Sequence, residues 1–127
     1  MIQSQSQLNI ADNTGVRLIQ VISIRGGLKG GGYQRFGKLG DIVSASVKKA
    51  LPNATINEHE KVHAVIVRTK KEYRRKDGSY IKFDDNAAVI IDMKTKGPIG
   101  TRILGPVARE IKQAGFTKII SVAPEVL

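Results

Sequence analysis

The sequence predicts an all-β fold: a small β-barrel with a projecting basic hairpin and a short helical C-terminal region. Three observations carry this expectation. Several short segments alternate apolar and polar residues, two apolar runs are short and β-branched, and only one late stretch has helical spacing.

The first alternating segment is Val16-Arg17-Leu18-Ile19-Gln20-Val21-Ile22-Ser23-Ile24, whose even positions are apolar except Gln20. Segment 41–49 places Val43, Ala45 and Val47 on one face and Ser44 and Ser46 on the other. Both read as half-buried strands, because side chains on a strand point alternately to its two faces. Ala64-Val65-Ile66-Val67 and Ala87-Ala88-Val89-Ile90-Ile91 are unbroken apolar runs, which suit strands covered on both faces. Tyr80-Ile81-Lys82-Phe83 alternates again, and Asp77-Gly78 before it is a hairpin-turn signal. The basic residues flanking that turn suggest a long hairpin projecting beyond the barrel. Near the end, Val107, Ile111 and Ala114 share a helical face, with Pro106 suited to the first helical position and Gly115 to the stop. Lys118 then begins a final strand pattern. No linker, repeat or second domain interrupts the chain, so residues 1–127 are expected to form one domain.

Composition narrows the function. A chain of 127 residues buries roughly two-thirds of its unfolded surface and needs neither disulfide nor metal to fold. The absence of cysteine excludes disulfides, thiol nucleophiles and thiolate metal sites, and fits a reducing compartment. The N-terminus lacks a basic start followed by an apolar core, and no apolar run is long enough to span a bilayer, so neither a signal peptide nor a membrane partner is expected. The net charge is +10, from 21 Lys and Arg against 11 Asp and Glu. Such an excess draws a protein to polyanions, above all to nucleic acid.

Two motifs resemble enzyme signatures. His59-Glu60-Lys61-Val62-His63 matches the zinc-protease pattern, which requires a helix to bring both imidazoles to one ion. Here residues 62–69 read as a strand. At ~3.3 Å per residue, the two histidines would stand about 13 Å apart, too far for zinc–nitrogen bonds of about 2 Å. Gly32-Tyr33-Gln34-Arg35-Phe36-Gly37-Lys38 has the outline of a phosphate-binding loop, but Leu39 stands where Ser or Thr should hold magnesium, and a strand follows where a helix should open. Asp84 and Asp85 sit at a turn, where adjacent acids serve as local hydrogen-bond acceptors. No catalytic constellation, metal site or cofactor is expected.

Charge is concentrated in segment 68–82. Arg68, Lys70, Lys71, Arg74, Arg75, Lys76 and Lys82 are opposed only by Glu72 and Asp77. Phosphates would neutralise this density, with release of their counterions favouring binding. Candidate RNA contacts are therefore Arg68, Lys70, Lys71, Arg74, Arg75 and Lys82. Lys48 and Lys49 join them, as do Lys29, Arg35 and Lys38 in the glycine-rich loop 26–40, which is expected to be flexible.

The same region is recognisable. Ala64-Val65-Ile66-Val67, Asp77-Gly78, Phe83, Asn86, Val89 and Ile90 resemble the spaced signature of the universal large-subunit ribosomal protein family numbered fourteen. The resemblance continues through Met1-Ile2-Gln3, Leu8-Asn9-Ile10-Ala11-Asp12-Asn13, Gly15, Gly40-Asp41, Val67-Arg68-Thr69-Lys70-Lys71 and Gly100-Thr101-Arg102-Ile103. It closes with Lys118-Ile119-Ile120-Ser121 and Ala123-Pro124-Glu125-Val126-Leu127. The form is similar to the bacterial and organellar branch, with a loop 26–40 longer and richer in glycine than usual.

The resemblance implies a closed five-stranded barrel with a small helical C-terminal region. It implies a structural constituent of the large ribosomal subunit, in a bacterial cytoplasm, plastid or mitochondrion. Large-subunit ribosomal RNA, small-subunit ribosomal RNA across an intersubunit bridge, and the large-subunit proteins numbered nineteen and three are the implied partners. The ribosome-silencing factor is implied to dock on the exposed face, where Thr101, Arg102 and Lys118 are the expected protein-binding patch. Arg102 and Lys118 binding nearby RNA is the alternative. A free nucleic-acid-binding barrel is the runner-up class, but three Tyr, three Phe and no Trp leave few surfaces for stacking bases.

Overall fold

The computed structural model describes residues 2–25, 33, 34, 36–54 and 56–127 of the chain. Five strands form its centre: β1 (Gln7–Ile10), β2 (Val16–Arg25), β3 (Ile42–Ala50), β4 (Lys61–Arg68) and β5 (Ala87–Asp92). From β1 to β4, each strand pairs antiparallel with the next. β5 pairs antiparallel with β4 and parallel with β1, through Ala87 opposite Asn9 and Ala88 opposite Ile10, and so closes the barrel. Closure removes the open sheet edges that would otherwise invite pairing with other chains.

The unbroken apolar runs are explained by what lies on each side of them. In β4 and β5, Ala64, Ile66, Ala88 and Ile90 point into the barrel and meet Leu8, Ile19, Val21, Val43 and Val47. Val65, Val67, Ala87, Val89 and Ile91 point outward, yet they too are buried, beneath Ile103, Val107, Ile111, Phe116 and Ile119. Helices α1 (Glu110–Gln113) and α2 (Thr117–Val122) contribute much of this outer layer.

β2 departs from its sequence pattern. Even-numbered alternation predicts Ile22 on the apolar face, but Ile22 is 47% exposed, and the buried residues are Val16, Ile19, Val21 and Ile24. The register against β3 explains the change: the ladder skips Arg17 and Ile22 on β2 and Lys48 on β3. Each bulge adds one residue without adding a pair, so the face pointing inward switches from even to odd and back.

Two expectations at the C-terminal end are corrected. Pro106 does not open the helix; Pro106–Val107 is extended and pairs in parallel with Glu125–Val126. Arg68 accounts for this, because it donates to the carbonyls of Leu104 (3.0 Å) and Pro106 (3.2 Å), which a continuous helix would use internally. Gly105 between them has φ +80°, and a Cβ there would collide with the Arg68 guanidinium. The helix is therefore confined to Glu110–Gln113, and the chain leaves it through Gly115 at φ +103°, where the stop was expected. Lys118 does not begin a strand either. Thr117–Val122 is helical, because one turn brings Phe116, Ile119 and Ile120 together against the outer layer.

A buried carboxylate fastens the barrel's seam. Asp12, just after β1, accepts the Ile90 N–H of β5 (3.1 Å) with one oxygen, and the N–H and hydroxyl of Thr14 (3.2 and 2.7 Å) with the other. Burial pushes its carboxyl above the usual carboxylate range, against the opposing pull of those hydrogen bonds. Replacing Asp12 with Ala leaves the Ile90 N–H buried without its acceptor. The expected result in urea unfolding is a loss of about 2 kcal/mol, with Asp12→Asn recovering only part because its amide supplies one acceptor oxygen instead of two.

Candidate nucleic-acid interface

The basic segment after β4 forms a hairpin, with two residue pairs where a long one was expected. Tyr73–Arg74 pairs antiparallel with Tyr80–Ile81, and the turn between them has Gly78 at φ +89°. Asp77 accepts the N–H and hydroxyl of Ser79 (3.0 and 2.6 Å), bonds that hold its carboxyl below the usual range. Tyr73, Ile81 and Phe83 turn inward against the barrel core, whereas Tyr80 is exposed.

The hairpin is tied down. Arg75 makes a two-pronged ion pair with Glu110 of α1, Nε to Oε2 at 3.0 Å and Nη2 to Oε1 at 3.1 Å, and also donates to the Leu127 carbonyl (2.6 Å). The two side chains are only 12% and 9% exposed. Arg68 is similarly engaged: its Nε lies 3.1 Å from Asp85, and its Nη1 holds the two carbonyls named above. Asp85 accepts from Arg68 Nη2 (3.4 Å), so its partner lies on β4 and not within the turn, where a local one was expected. The half-buried guanidinium groups of Arg68 and Arg75 join the hairpin and β4 to the C-terminal layer, a role that sequence position alone does not reveal.

The remaining candidates are distributed over the surface. Lys70, Lys71, Arg74 and Lys82 are exposed along the hairpin and its approaches. Lys38, from a distant segment, lies with Lys71 and Arg74 around one cleft. Its backbone N–H donates to buried Asp41 (2.9 Å), which fixes the start of β3. Lys48 is half-buried and Lys49 exposed near the far end of β3. Lys29 and Arg35 lie outside the described residues. Arg109, missed in the sequence, is exposed beside the hairpin turn and lines a cleft with Lys76 and Asp77. Glu110 follows it directly and masks its charge in any sequence window.

Thr101 and Arg102 are positioned by Asn13. The Asn13 side-chain oxygen accepts the N–H groups of both residues (2.9 and 3.1 Å), and its amide donates to the Thr101 hydroxyl (2.9 Å). Nothing in sequence spacing points to this pairing across 88 residues. Lys118 is exposed on α2, and its aliphatic stem passes over Gly97, where a Cβ would stand 3.0 Å from Lys118 Cδ. The three residues thus border one segment, from Gly97 to Arg102.

The enzyme-like motifs have unsuitable backbones. His59 is exposed at φ +69°, outside any helix, whereas His63 is within β4 opposite Ser44 and Ile91. Burial lowers the His63 pKa, with repulsion from Arg25 and Lys96 adding to the effect. Tyr33–Gln34 and Phe36–Gly37 are short strands, not the opening of a helix. Among the described residues, no helix is long and apolar enough to cross a membrane.

The described residues thus form a small, closed β-barrel with a basic surface. The family model of ribosomal protein L14p/L23e matches residues 1–127, and the chain belongs to that family. It is a structural constituent of the large ribosomal subunit, located at the ribosome, and not an enzyme.

Arg74 and Arg75 are neighbours in different settings, one exposed and one paired with Glu110, so single substitutions should separate them. Arg75→Ala leaves Glu110 buried and unpaired and should lower stability by about 3 kcal/mol. Arg74→Ala should change it by less than about 0.5 kcal/mol. Chemical denaturation of the two variants checks both values.

Proposed function

We propose that the chain holds large-subunit ribosomal RNA through its exposed cations. Lys70, Lys71, Arg74 and Lys82 act along the hairpin. Lys38, Lys48 and Lys49 act from the barrel, joined by Lys29 and Arg35. The observation that carries this reading is the meeting of Lys38, Lys71 and Arg74 at one cleft, although they come from separate segments. Like charges brought together on a surface repel, and a phosphate backbone relieves that repulsion. Arg68 and Arg75 support the interface from below by fixing the hairpin.

In this reading residues 1–127 work as one domain, of the bacterial or organellar kind. The domain contacts small-subunit ribosomal RNA across the intersubunit bridge and adjoins the large-subunit proteins numbered nineteen and three. The test of RNA binding is salt dependence. Replacing Lys70, Lys71 and Arg74 with Glu should weaken binding to large-subunit ribosomal RNA and flatten its log–log salt slope by up to about 0.9 per lost phosphate contact. An unchanged slope would count against the assignment.

Thr101, Arg102 and Lys118 form the docking patch for the ribosome-silencing factor. The support is their shared position along one segment and the Asn13 clamp that presents Thr101 and Arg102 together. Two cations there suit acidic groups on the factor. Replacing Arg102 and Lys118 with Ala should leave the protein in the large subunit and weaken capture of the factor by those subunits. Undiminished capture would assign the two cations to RNA instead.

A further inference from the structure

The cleft shared by Lys38, Lys71 and Arg74 has a property that phosphate binding does not require. It encloses about 140 Å³ and opens to solvent on one side. Its walls come from Gly37, Leu39, Thr69 and Tyr73, and they are largely apolar. Leu39 and Thr69 are buried, and the Thr69 hydroxyl already donates to the Lys71 carbonyl (3.0 Å), so it does not compete for a ligand. Tyr73 packs against the barrel core and lines both this cleft and the neighbouring one beside Arg75. Charges occupy the rim: Lys38, Lys71 and Arg74, opposed only by Glu72.

An apolar slot beneath a cationic rim matches the two halves of a nucleotide. A cavity of about 150 Å³ accommodates a benzene-sized ring; this cleft is slightly smaller but open to solvent, so it has room for the single six-membered ring of a pyrimidine with its substituents toward the opening. An aromatic wall gives any base a face to stack on, and single-stranded RNA is recognised through bases turned out of their helix. Three cations at the mouth stand where the phosphates on either side of such a base would lie. An apolar side chain from a neighbouring protein would fill the slot but leave those cations without partners.

We infer that this cleft holds one unstacked pyrimidine of ribosomal RNA against Tyr73, with the flanking phosphates on Lys38, Lys71 and Arg74. The inference rests on the proposed binding of ribosomal RNA by this surface and adds base recognition to it.

The test compares Tyr73→Leu, Tyr73→Phe and the parent full-length chain for binding to large-subunit ribosomal RNA over a range of salt. Tyr73→Leu keeps an apolar wall but removes the aromatic face. It should weaken binding by roughly fivefold or more, with the salt slope unchanged, whereas Tyr73→Phe should bind like the parent. Equal affinity of Tyr73→Leu and parent would overturn the inference while leaving the RNA reading intact. Failure of the parent to bind would overturn both. A second measurement needs no variant. Ribosomal RNA carrying photoreactive 4-thiouridine, bound to the parent protein, should crosslink to the cleft at Leu39 or Tyr73. Crosslinks confined to residues outside the cleft, or a neighbouring protein's side chain found in the slot within the subunit, would overturn it.

Discussion

The structure depends on the pairing of β4 with β5, two strands buried on both faces. Fully burying a Val or Ile side chain stabilises a fold by about 1.5–3 kcal/mol, and here alternate residues of the same strands contribute on opposite sides. Ala64, Ile66, Ala88 and Ile90 fill the barrel; Val65, Val67, Val89 and Ile91 bind the C-terminal layer. The short helices could not stand alone, since helices of four and six residues are too short to be stable in water. They persist because the outer faces of β4 and β5 give their apolar residues a place to pack.

Charges are sorted by the same arrangement. Where the C-terminal layer crosses the hairpin and the end of β4, its carbonyls and acids are met by Arg68 and Arg75. These two cations are required by the protein itself, and their planar, multi-donor groups suit the task better than lysine's single ammonium. Cations farther from the layer remain at the surface. One basic stretch therefore serves as an internal brace at Arg68 and Arg75 and as an outward face at Lys70, Lys71 and Arg74.

Much of the barrel was legible in the sequence because its strands obey simple periods. Segment 41–49 alternates and is half-buried, and the two unbroken runs are buried on both faces. The β2 pattern misled because a bulge depends on the partner strand, which sequence period does not encode. The end of the chain misled for a related reason. Ile119 and Ile120 have the β-branched character of a strand, but Phe116 and the outer layer select a helix. In the candidate site, charge density pointed to the hairpin segment but could not separate half-buried Arg75 from exposed Arg74, because they are adjacent and chemically identical. The Asn13 clamp and the cleft joining Lys38 to Lys71 are tertiary features, produced only when distant segments meet.

The parallel pairing of β5 with β1 also sets an order of events. β1 to β4 follow one another as antiparallel neighbours, so each can pair as soon as the next has been synthesised. The free side of β1 has to wait until Ala87 and Ala88 emerge from the ribosome that makes them, nearly 80 residues after Asn9 and Ile10. Until then the nascent sheet has two open edges, at β1 and β4, and exposes the apolar faces that β5 will cover. Loop closure over such a distance costs more chain entropy than joining neighbouring strands. The last strand to arrive both seals the barrel and creates the outer surface on which the C-terminal layer assembles, so the order of synthesis and the order of packing coincide.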